Sequence, residues 1–99
     1  MDLRVLAIVP RCYTWDDGDR VSAAIRSAFR HGEKVSLSFQ GVDNVPSSFV
    51  NGAFVSLLKD YPYDYLRANL NVCDSTRQIN DMIRNRVDFE RKRCPRIAA

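Results

Sequence analysis

The chain has 99 residues and is 45% hydrophobic, 27% charged and 10% aromatic, with only 4 Gly and 4 Pro, which suits one globular domain over residues 1–99 and excludes collagen-like, low-complexity and disordered sequence. Its net charge of +3 is uneven: residues 1–76 carry 8 Lys/Arg against 9 Asp/Glu, whereas residues 77–99 carry 7 against 3. No apolar run approaches the ~20 residues of a membrane helix; the Met1-Asp2-Leu3-Arg4 start has no leader pattern; and Cys12, Cys73 and Cys94, without CxxC spacing, suit a reducing cytoplasm rather than a disulfide framework.

Leu3–Val9 is a short β-rich run ended by Pro10 and is expected to be a strand. Arg11–Trp15 is expected to be a second short strand or a loop. Asp16, Asp17 and Asp19 supply N-cap chemistry for a helix whose apolar stripe is Val21, Ala24, Ile25, Ala28 and Phe29, closed by His31-Gly32. Lys34–Gln40 alternates Val35, Leu37 and Phe39 with Ser36 and Ser38, a strand pattern, and Gly41–Pro46 is a loop. Ser47 or Ser48 then opens a helix with Phe49, Ala53, Phe54, Leu57, Leu58 and Tyr61 as its buried face, stopped by Pro62. Leu66–Val72 alternates again as a strand. Asp74-Ser75 caps a last helix with Ile79, Met82, Ile83 and Val87 inward, ended by Pro95. The order β-α-β-α-β-α implies an α/β fold with a small, mainly parallel or mixed sheet. Two alternating strands leave one sheet face incompletely covered, so the helices are expected mostly on one side.

No catalytic set can be assembled. The single histidine, His31, sits where an imidazole complements a helix C-terminus. The glycines form neither G-x-G-x-x-G nor a P-loop, and the aspartates lack calcium-loop spacing, so no enzyme, metal or cofactor is expected. The basic C-terminal segment contains the pairs Arg77–Asp81, Arg84–Asp88 and Arg86–Glu90 at i,i+4, each worth ~0.2–0.5 kcal/mol on a helix. A patch of Arg84, Arg86, Arg91, Lys92, Arg93 and Arg96 is the candidate for nucleic acid or an acidic partner. Tyr61-Pro62-Tyr63-Asp64-Tyr65 is either a recognition loop or a hydrophobic lid.

The most informative segment is Val35–Lys59, where a strand, a loop and Pro46-Ser47-Ser48-Phe49 lead into a helix. A serine there either caps the helix or accepts a phosphate, which the helix dipole tolerates. Together with Gly18 and its helix, the run Phe39-x-Gly41-Val42-x-x-Val45-x-Ser47-Ser48-Phe49 resembles the STAS-like family of unknown function, a bacterial and phage-associated relative of the anti-sigma-factor antagonists, over about residues 15–90. The antagonists carry Asp-Ser-Ser-Gly at this place; here Pro46 stands for the Asp and Phe49 for the Gly. The resemblance implies a STAS-like fold, a GHKL-type ATPase or kinase as partner, and phosphorylation at Ser47 or Ser48.

The resulting expectation is a non-enzymatic protein-interaction module. Its contact residues are Asn44, Ser47, Ser48, Asn51, Tyr63 and Tyr65. The alternatives are a nucleic-acid-binding module using the basic C-terminal helix and a phage or mobile-element inhibitor of a host nucleoprotein complex.

Overall fold

The computed structural model describes residues 1–93, the Arg93 side chain excepted; the expected stop at Pro95, together with Cys94 and Arg96, lies outside the described residues. The elements run β1 (Asp2–Arg4), α1 (Val5–Ile8), α2 (Trp15–Arg30), β2 (Val35–Ser38), α3 (Ser47–Ala53), a 3-10 turn (Val55–Lys59), α4 (Tyr63–Asn69), β3 (Leu70–Cys73) and α5 (Arg77–Arg93). The strands form one sheet in the order β1-β2-β3, with both pairings parallel. Asp2 lies opposite Ser36, Leu37 opposite Leu3 and Val72, and Ser38 opposite Cys73.

That register sorts the side chains by period two. Val35 and Leu37 are buried, and Leu3, Leu70 and Val72 pack with them against the helices. On the other face Asp2, Arg4 and Asn71 are exposed and Ser36 and Cys73 half-buried. The helices therefore lie against one face, as the alternation implied. The main layer is α2 against α3, with α5 packed on α3 and the 3-10 turn. The core between helices and sheet includes Val21, Ile25, Phe39, Phe49, Val50, Leu57 and Ile79.

At the α2–α3 crossing the two backbones meet through glycine. A Cβ on Gly18 would collide with the carbonyl oxygen of Phe49 and lie 2.7 Å from the amide nitrogen of Ala53. A Cβ on Gly52 would collide with the carbonyl oxygen of Trp15. Arg26 secures the far end of the crossing. Its guanidinium donates to the Ser56 carbonyl at 2.9 Å and to Ser22 Oγ at 3.2 Å, and pairs with Asp60.

Several boundaries differ from the sequence expectations, each for a local reason. The Leu3–Val9 strand shrinks to Asp2–Arg4 because the chain turns at Val5 into a single helical turn that buries Val5. Arg11–Trp15 is loop up to Thr14, and Thr14, rather than the aspartates after it, is the N-cap of α2. Its Oγ1 accepts from Asp17 N at 3.1 Å while the Asp17 carboxylate accepts from the Thr14 N–H at 3.2 Å, a capping box with Asp in place of Glu. At the other end, Gly32 at φ +72° closes a Schellman motif, with Glu33 N bonding Ala28 O at 3.1 Å and Gly32 N bonding Phe29 O at 2.9 Å.

The helix expected from Ser47 to Tyr61 breaks after Ala53. Ser56 Oγ donates back to the Gly52 carbonyl at 2.6 Å, a bond that competes with the regular ladder, and the chain tightens into 3-10 geometry. The Leu66–Val72 strand is helical up to Asn69. Pro62 starts α4, and Tyr65, Leu66 and Asn69 share one side of it, so only Leu70–Cys73 remains to pair with the four residues of β2. The last helix is capped by Thr76, whose Oγ1 accepts from Ile79 N at 3.2 Å. Asp74, expected to cap it, instead takes φ 52° and accepts from Ser38 Oγ at 2.8 Å.

Candidate functional site

The loop leading into α3 is held in place by the start of α5. Gln78 uses both ends of its amide on one residue: Oε1 accepts from Val45 N at 2.9 Å and Nε2 donates to Val45 O at 3.0 Å. Thr76 Oγ1 donates to Asp43 O at 2.9 Å. Asn44 is thus presented outward between two fixed neighbours. Gly41, at φ +88°, makes the turn out of β2 against the Leu6 side chain.

Ser47 and Ser48 follow, and both are exposed. Neither caps α3; Pro46 is the N-cap residue and supplies no side-chain bond. Ser48 Oγ donates instead to the Tyr13 carbonyl at 3.0 Å, tying α3 to the segment before α2. Ser47 Oγ makes no hydrogen bond among the described residues. Phe49, at the Gly position of the antagonist motif, points away from the serines into the core, edge-on to Phe39 with ring centroids 6.4 Å apart. One turn further, Asn51 Oδ1 accepts from Arg86 Nε at 2.9 Å, and Arg86 also pairs with Glu90 at 3.0 Å and lies 5.2 Å from the Phe89 ring.

The outer side of α3 is therefore a polar strip of Ser47, Ser48 and Asn51, met on one side by the Tyr13 carbonyl and on the other by Arg86, and exposed aromatic residues stand on both neighbouring segments. Tyr13 (64% exposed) and Trp15 (47%) belong to the side of α2, and Phe89 (53%) to that of α5. Such residues, with Arg, are the types that dominate protein interfaces. These aromatics are absent from the sequence-derived set. The only signal was the aromatic pair in Arg11–Trp15, which strand-like alternation obscured.

The remaining expected residues have other partners. Tyr65 packs edge-on to Phe29 at 5.2 Å and stacks on Tyr61 at 5.4 Å, so this part of the tyrosine cluster serves as a lid on the core. Tyr63 lies under the Arg91 guanidinium at 4.1 Å. No hydrogen bond or ring contact among the described residues joins Tyr63 or Tyr65 to Asn44, Ser47, Ser48 or Asn51. Of the basic patch, Arg86 is bound to Asn51 and Glu90, Arg91 to Asp88 at 3.3 Å, and Arg84 to Asp81 at 3.8 Å. The Arg86–Glu90 pair forms at the expected spacing, whereas Arg84 turns to Asp81 and leaves Asp88 to Arg91. Lys92 is exposed.

Two groups near the site have altered acidity. The Asp17 carboxyl is held below the usual aspartate range, first by the hydrogen bond from the Tyr13 N–H and further by Thr14. Burial, with the Asp17 charge adding, pushes the Cys12 thiol up to about 11. A thiol so raised is a packing group rather than a nucleophile at neutral pH. Among the described residues no three His, Cys, Asp or Glu side chains converge on a metal position, and no helix is long and apolar enough to cross a membrane.

A family model described as a STAS-like domain of unknown function matches residues 17–80, from the first turn of α2 to the first turn of α5. No curated protein and no solved structure matches the chain.

Proposed function

Because the chain belongs to the STAS-like family of unknown function, we propose that it is a non-enzymatic protein-interaction module whose contact surface is the outer side of α3. The observation that carries this reading is the exposure of Ser47 and Ser48 beside Tyr13 and Trp15. The polar strip lies on a loop and helix already fixed by Gln78, Thr76 and the glycine crossing, and the exposed Tyr13 and Trp15 belong to the segment whose backbone meets α3. Little ordering entropy remains to be lost on binding. The partner we propose is a GHKL-type ATPase or kinase, by the likeness to the antagonist motif.

In this reading the regulated position is Ser47. Its hydroxyl is open to a kinase, whereas that of Ser48 is occupied by the Tyr13 carbonyl. A phosphate would place about −1.5 to −2 charges at the centre of the contact surface and oppose an acidic or apolar partner there.

The test is affinity capture from the native host with wild-type, Ser47→Asp and Trp15→Ala proteins, alongside intact-mass measurement of the natively expressed chain. The reading expects a partner captured by wild type and lost from both variants, and a mass increase of one phosphate mapping to Ser47. Identical captured sets from all three proteins would refute the surface. Salt-sensitive binding to mixed DNA that is abolished by Lys92→Ala would favour the nucleic-acid alternative instead.

A further inference from the structure

β3 is an edge strand, and the helices before and after it face each other across a cleft of about 320 Å³. Tyr63, Leu66 and Arg67, at i, i+3 and i+4, form its α4 wall. Ile83, Arg84 and Val87, at i, i+1 and i+4, form the α5 wall, and Phe54, Leu70 and Val72 complete an apolar lining. The polar groups are not balanced in charge. The one acid in the lining, Asp88, is engaged by Arg91, which is itself stacked on Tyr63. Arg67 is exposed and has no ion pair among the described residues. Arg84 has only Asp81, 3.8 Å away, with both side chains more than half exposed, a pair too solvated to compete strongly for the guanidinium. The cleft thus offers an apolar body and two available guanidinium groups, one from each wall.

We propose that this cleft binds a small amphipathic monocarboxylate. Its apolar body lies against Leu66, Leu70, Val72, Ile83 and Val87, and its carboxylate is taken by Arg67 and Arg84. Arginine is suited to this role because its planar fork meets a carboxylate with two parallel bonds. A cleft of about 320 Å³ is at the small end of the range for ligand pockets and has room for a medium-chain acid.

The probe is sodium octanoate, titrated into the full chain and followed by heteronuclear NMR and calorimetry. Its counterpart is n-octylamine, with the same hydrocarbon and the opposite charge. The expected result is saturable octanoate binding, with shift changes concentrated at Leu66, Leu70, Val72, Ile83 and Val87. The Arg67→Gln/Arg84→Gln double variant changes only exposed side chains, and should bind octanoate at least tenfold more weakly with an unchanged spectrum elsewhere. Octylamine binding as tight as octanoate binding, octanoate shifts dispersed over the surface without saturation, or undiminished octanoate binding by the double variant would each overturn the proposal.

Discussion

Replacing Gly52 by Ala tests the crossing on which the contact surface depends. In an ordinary helix this change stabilises by roughly 0.5–1 kcal/mol, because Gly loses more chain entropy on folding than Ala. Here the new methyl would collide with the Trp15 carbonyl oxygen and come within 3.0 Å of the Asp19 amide nitrogen, and neither is a side chain that can swing aside. Overpacking against adjustable neighbours costs ~1–3 kcal/mol; against backbone the upper end applies. To relieve the collision α2 and α3 must separate, which weakens the contacts of the fully buried Val21, Ile25, Phe49 and Val50 together. The net expectation is a loss of about 2 kcal/mol, or a fall in Tm of about 8–16 °C at ~4–8 °C per kcal/mol for a domain of this size. Thermal unfolding followed by circular dichroism reads this directly. The Gly18→Ala/Gly52→Ala double variant should lose less than the sum of the two single losses, because the first methyl already parts the helices. A Tm for Gly52→Ala equal to or above that of wild type would refute the reasoning.

Three further outcomes follow from the same end of the molecule. Thr14→Ala removes the acceptor half of the capping box and should cost about 1 kcal/mol in chemical denaturation, within the ~0.5–2 kcal/mol span of such caps. The carboxyl of Asp17 has a lowered folded pKa, so its stabilising contribution is complete above the ordinary aspartate value of about 4 and is lost as pH falls through the lower folded value. Unfolding midpoints measured on either side of pH 4 should therefore fall less steeply with acid for Asp17→Asn than for wild type. Cys12, buried and with its thiol raised to about 11, should resist iodoacetamide at pH 8 in the native chain and react fully once unfolded, as peptide mapping by mass spectrometry would show.

The amphipathic stripe of α2, the alternation of β2 and the one-sided sheet were legible because each rests on a simple period that burial enforces. The short elements were not. β1 and β3 have three and four residues, and unlike β2, whose alternation continues into Phe39, they adjoin helical turns that carry the same apolar residues. Their lengths are set by the partner strand β2. The serines were legible as exposed, but not in their bonding. Whether Ser48 caps its own helix or reaches Tyr13 depends on where α2 begins, and that depends on Thr14 and Asp17 rather than on the aspartate run itself. Gly52 carried no local signal, since its necessity comes from a backbone more than thirty positions earlier in the chain. The engagement of Arg86 was not legible, because its partner Asn51 is supplied by another helix.

A sheet made only of parallel strands contains no hairpin. Each β-partner here lies roughly 35 positions away along the chain. No two strands can zip up locally, so loop-closure entropy must be met before any inter-strand bond repays it. The earliest organised species should then be helical, with α2 and α3 docked through their glycines. The three strands are recruited afterwards, and until then their unpaired edges are open to association with other nascent chains.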